Sequence, residues 1–211
     1  RDVDARFERF VAAGLPLVLL LMVCVATAAT SIDTIVGERE RGTLETLLVS
    51  PLARGDVLVG KYLFVVVAAF AAFTLNLLSM SLFVGWVLKL VEMGEEIRIS
   101  LDPLSVLLVL GTAVLLAAFL AAVFMILAIP SRTYREGQAA LSPAYLLAMV
   151  PGLVVGASAE PFGMSQALIP VLNATALFEA VLEGHIDAAP VVVTYLVLAL
   201  STAAALALAA R

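Results

Sequence analysis

Apolar residues fill this chain in long unbroken runs, and the polar residues gather in the short stretches between them. Runs of that length read as membrane-crossing helices, because about 20 apolar residues at 1.5 Å rise cross a hydrocarbon core of roughly 30 Å. The pattern predicts an all-α integral membrane protein with one transmembrane domain over residues 1–211 and five spans, at about 10–32, 62–88, 104–129, 139–157 and 188–210. Pro143 and Pro151 inside the fourth predict a kink. Residues 167–184 are apolar but broken by Pro170, Asn173 and Glu179, too short and too polar for a full span, and predict a re-entrant hairpin.

The connection at 33–61 is the most structured of the polar stretches. Gly37-Glu38-Arg39-Glu40-Arg41-Gly42 leads into Thr43-Leu44-Glu45-Thr46-Leu47-Leu48, which puts Leu44, Leu47 and Leu48 on one face of a short helix. Gly42 costs about 1 kcal/mol in a helix interior, so a break is expected there, with Thr43 as the N-cap of the next turn. Ser50 and Pro51 suit a further helix start. In a continuous helix Arg41 would instead touch both Glu38 and Glu45.

Composition agrees with the pattern: 63% of the 211 residues are hydrophobic and 14% are charged, against about 25% charged in soluble domains. A net charge of −5 leaves no basic footprint for nucleic acid. The single cysteine, Cys24, lies in the first span and has no intrachain disulfide partner. Basic residues set the orientation. The connections at 33–61 and 130–143 hold Arg39, Arg41, Arg54, Lys61, Arg132 and Arg135, whereas 89–103 holds only Lys89 and Arg98 and 158–187 holds none. The first pair is therefore expected in the cytoplasm and the acidic second pair outside.

Chemistry is sparse. Gly55 to Lys61 fits the start of a phosphate-binding loop, but Tyr62 stands where Ser or Thr must hold magnesium, and the better expectation is Asp56 capping the second span with Lys61 snorkelling to the interface. His185 is the only histidine, and Gly156-Ala157-Ser158-Ala159 lacks the last glycine of a nucleophile turn, so an intramembrane protease has little support. Glu95, Glu96 and Arg98 read as a solvated turn. No catalytic, cofactor-binding or metal-ligating residues are expected in this chain. No acidic or basic residue lies in the centre of a span, and Asn76, Ser79 and Ser81 on the second are the candidate pathway residues, with helix-to-helix bonding as the alternative.

The run GERERGTLETLLVSP, followed by ARGDVLVGK, resembles the cytoplasmic connection in permease subunits of the type-2 ABC exporter family, and within it the sodium-efflux (Nat-type) branch. The segments SRTYREGQAALSP and ALIPVLNATALFEAVLEG resemble that family's second cytoplasmic loop and extracellular re-entrant helices. The resemblance implies a coupling helix docked on a separate ATP-binding subunit, with Glu38, Arg41, Thr43, Leu44, Glu45, Leu47 and Leu48 as contact or supporting residues. It implies ATP and magnesium on that partner, a second permease copy or paralogue, a plasma-membrane location and export of a substrate such as sodium. It also implies a fragment, since the family's first span and exterior domain are missing. A non-transporting structural or assembly protein stands as the alternative.

Overall fold

A computed structural model describes residues 2–43, 53–90, 103–157, 162–184 and 186–209, and the described residues are helical with no strand among them. Helix α1 runs over Asp2–Ile32, passes into a π-helical turn at Asp33–Gly37 and ends in the short α2, Glu38–Glu40. Then follow α3 (Arg54–Leu90), α4 (Pro103–Ala128), α5 (Tyr134–Ala157), the single turn α6 (Met164–Ala167), α7 (Leu172–Glu183) and α8 (Ala188–Ala209). Among the described residues five helical stretches are long and apolar enough to cross a membrane: Gly14–Glu40, Gly55–Phe83, Pro103–Ala128, Tyr134–Val155 and Ala188–Ala209.

Helices α1, α3 and α5 begin well before their apolar runs do. Helix α3 starts at Arg54, where the Ala53 carbonyl accepts from the amides of Asp56 and Val57. Asp56 therefore sits in the first turn, where its charge favours the helix N-terminus, and does not cap it. Helix α5 starts at Tyr134 because Thr133 and Glu136 close its end: Thr133 Oγ1 accepts from the Glu136 amide at 3.2 Å, and Glu136 Oε2 from the Arg132 amide at 2.8 Å. It then continues unbroken through Pro143 and Pro151 to Ala157.

Half of the most apolar window of α1 and 44% of that of α4 are buried, against 17 to 22% for the other three spans, which makes α1 and α4 the centre of the bundle. Helix α1 packs against α3, α4, α5 and α7, and α8 lies along α4. Phenolic hydroxyls join these helices where lipid offers no hydrophobic drive. Tyr62 of α3 donates to the Ala118 carbonyl at 3.0 Å, and Tyr195 of α8 donates to that of Leu108 at 3.0 Å.

The segment expected to form a re-entrant hairpin is two short helices divided at Leu168–Val171. Val171 has φ 72, ψ −48, a backbone conformation that costs a β-branched residue of order 1–3 kcal/mol. Helix α7 is almost wholly buried against α1, α4 and α5, and the Phe178 ring stacks on Phe73 of α3 with centroids 5.9 Å apart.

Candidate functional site

The site grows out of the end of α1. Thr27, Thr30, Ser31 and Thr34 each donate a hydroxyl to the carbonyl four residues back, at 2.6 to 2.8 Å. Back-bonding of this kind loosens and bends a helix. Here the α-helical ladder gives way just beyond, at the π turn, in which each hydrogen bond spans five residues rather than four. A Cβ on Gly37 would stand 2.9 Å from Asp33 Oδ1, so a side chain there would make the exposed Asp33 carboxylate swing aside. Gly42, at φ +69, then ends the helical run in a conformation that favours glycine, as the sequence leads one to expect.

Each of the four charged residues between these glycines takes a different partner. Glu38 pairs with Lys61 of α3, whose Nζ also donates to the Thr34 carbonyl at 3.2 Å. Arg39 Nη1 donates to the carbonyls of Ile129 and Ser131 at 2.6 and 2.7 Å, just past the end of α4. Glu40 Oε1 accepts from the Tyr134 amide at 2.6 Å, at the first residue of α5. Arg41 Nη2 lies 3.0 Å from Asp33 Oδ1. The two ion pairs differ in setting. Lys61 and Glu38 are 13% and 28% exposed, Arg41 and Asp33 68% and 56%, so only the first is shielded from salt.

The expectation for Lys61 changes. Lys61 does not snorkel outward; its ammonium finds a carboxylate and a carbonyl on the α1 side and turns in. With the helix ending at Gly42 as expected, Arg41 takes the carboxylate of Asp33, across the π turn, and Glu38 is held by Lys61. Thr43 Oγ1 donates back to the Glu38 carbonyl at 3.2 Å. Leu44, Glu45, Leu47 and Leu48 lie outside the described residues. Gly55–Lys61 is helix, not a loop that could cradle a phosphate.

A cavity of about 290 Å³ opens beside these groups, lined by Asp33, Thr34, Glu38, Arg41, Gly60, Lys61 and Phe64. The candidate pathway residues stand apart from it on α3. Asn76 Nδ2 and Ser81 Oγ donate within their own helix, to the carbonyls of Ala72 and Leu78, both at 2.9 Å. Ser79 and Ser81 are exposed on a helix that also exposes Leu75, Leu78 and Leu82. Sequence reasoning did not single out Arg39 and Glu40, whose partners are backbone groups 90 to 94 positions away.

The chain matches the ABC-2 family transporter protein family over residues 5–211, which is nearly its whole length. It belongs to the ABC-2 transporter family. A curated relative, the ABC transporter permease protein NatB of Bacillus subtilis (strain 168), is 29% identical over 187 residues, covering 86% of this chain and 47% of the relative. The chain thus spans about half the length of the curated relative it matches. No solved structure matches it significantly. Family and architecture together make this ABC-2 chain a multi-pass protein of the plasma membrane, of the ABC permease class.

Proposed function

We propose that this chain is the membrane-embedded part of an ATP-driven exporter whose hydrolysis takes place on a separate ATP-binding subunit. The observation that carries the proposal is the family match over residues 5–211, with a curated permease among the relatives. In this reading the end of the bundle that holds Arg39, Arg41, Lys61 and Arg132 is cytoplasmic, and the partner docks on the connection between α2 and α3. Glu38, Arg41 and Thr43 support the docking segment, and Leu44, Glu45, Leu47 and Leu48 make the contact. The substrate leaves between two permease copies along the exposed side of α3, past Asn76, Ser79 and Ser81. Sodium is the substrate that the Nat-type resemblance favours.

Orientation is checked first. With Cys24 replaced by Ala, a cysteine at Thr43 is expected to react with an impermeant maleimide only from the cytoplasmic side, and one at Gly94 only from outside. The reverse pattern overturns the docking reading.

Docking is tested with Leu47→Asp in the full-length complex. If Leu44, Leu47 and Leu48 fill an apolar cleft on the partner, burying an unpaired carboxylate there costs about 2–7 kcal/mol. The ATP-binding subunit should then fail to co-purify while the permease still inserts, as Leu47 faces no lipid in this reading. Normal co-purification with normal substrate-stimulated hydrolysis removes the coupling role.

A further inference from the structure

The polar network ties together two connections that are far apart in sequence. Helix α4 ends and α5 begins within five residues, so a helix C-terminus, with its partial negative charge, and a helix N-terminus, with its partial positive charge, face the same spot. Two adjacent residues of the first connection meet them in matching order. Arg39, a cation, bonds the carbonyls of Ile129 and Ser131; Glu40, an anion, bonds the Tyr134 amide. The bonds bridge 90 to 94 positions of chain. The contact continues through packing: a Cβ on Gly137 of α5 would stand 3.2 Å from Val36 Cγ2 and 3.4 Å from Ile32 Cγ2, so glycine there lets α5 close on the π turn.

We propose that Arg39 and Glu40 are positioning residues of the transport cycle, a strap that makes the α4–α5 turn move with the end of α1. The inference rests on the docking reading above. A partner seated on the connection between α2 and α3 pushes directly on α1 and α3 alone. Helices α4 and α5 also pack on α1, and their turn follows the pushed segment, rather than sliding along it, when something ties the two together. The two side chains do so with charge-assisted bonds to backbone atoms, which keep their positions as long as the helices exist. Arg39 and Glu40 are thus not an ion pair with each other; each reads a helix end.

The test follows motion at two points of the intact permease–ATPase complex. In a Cys24→Ala background, single cysteines at Thr43 and at Arg135, an exposed residue in the first turn of α5, are labelled with maleimide before and after trapping with ATP and vanadate. With the strap intact, the labelling rate is expected to change on trapping at both positions. In Arg39→Met and in Glu40→Met, which remove the donor and the acceptor, the change at 135 should be lost while that at 43 persists, with the ATPase still co-purifying. Glu40→Asp should restore the response at 135. The double swap Arg39→Glu with Glu40→Arg should not, because it sets each charge against a helix end of its own sign. A response at 135 that survives in both Met variants, or that the double swap restores, overturns the strap and leaves docking intact. No response at 43 in the unmodified chain overturns docking and strap together.

Discussion

Phe178→Ala is expected to destabilise the folded permease by about 3–5 kcal/mol, the cost of emptying a large buried aromatic site. Phe178 and Phe73 are both fully buried, and their rings stack at 5.9 Å and 18° between planes. In a membrane the usual drive to bury apolar groups is missing, since lipid tails are as apolar as phenylalanine; close packing has to hold the helices together. Helix α7 depends on that packing more than any span does. At 12 residues it is too short to cross the bilayer, and it is held by its packing on α1, α4 and α5 and by the reach of Phe178 to Phe73 of α3. The thermal melt of the purified chain in detergent checks this. Phe178→Leu should recover most of the loss, and an alanine variant that melts with the wild type would show that the stack does not hold α7.

The number and kind of spans were legible because hydrocarbon thickness sets a length that composition must meet, and the break around Pro170 was legible because proline and asparagine interrupt an apolar run. The arrangement of the spans was not. Leu63, Phe64, Val67 and Leu75 of α3 are exposed while Leu116, Leu120 and Phe124 of α4 are buried, and nothing in residue type separates the two sets. A lipid-facing side and a protein-facing side ask for the same side chains, so hydropathy cannot say that α1 and α4 are central. The left-handed φ at Val171 was equally hidden, since a valine gives no warning of it.

The candidate site divides along a similar line. The break at Gly42 follows from local chain chemistry and could be read directly. Arg39 and Glu40 could not, because their partners are backbone atoms of Ile129, Ser131 and Tyr134, and a carbonyl or an amide carries no sequence signature. Thr27, Thr30 and Ser31 passed as part of an apolar span, because each hydroxyl is satisfied within its own helix. Their effect shows only as the π turn that follows.

Lys61→Met is expected to loosen the start of α3, with a loss of about 1–3 kcal/mol from leaving a partly buried charged acceptor without its donor. Methionine keeps the length and the apolar stem of lysine but removes all three donors, so the Glu38 carboxylate and the Thr34 carbonyl lose their partner together. The amides over Val57–Lys61, at the first turns of α3, should then exchange hydrogen faster, while those in the middle of α3 keep their protection. Swapping the pair, Glu38→Lys with Lys61→Glu, should recover only part of the loss, since a glutamate at 61 cannot donate to the Thr34 carbonyl. Arg41→Gln serves as the contrast. Its pair with Asp33 is exposed, worth about 0–1 kcal/mol, and weakens further with salt. Raising ionic strength should therefore erase any difference between Arg41→Gln and the wild type and leave the Lys61→Met defect in place; equal salt sensitivity of the two would mean that the Glu38–Lys61 pair is as solvated as the Asp33–Arg41 pair and does not hold α3 to α1.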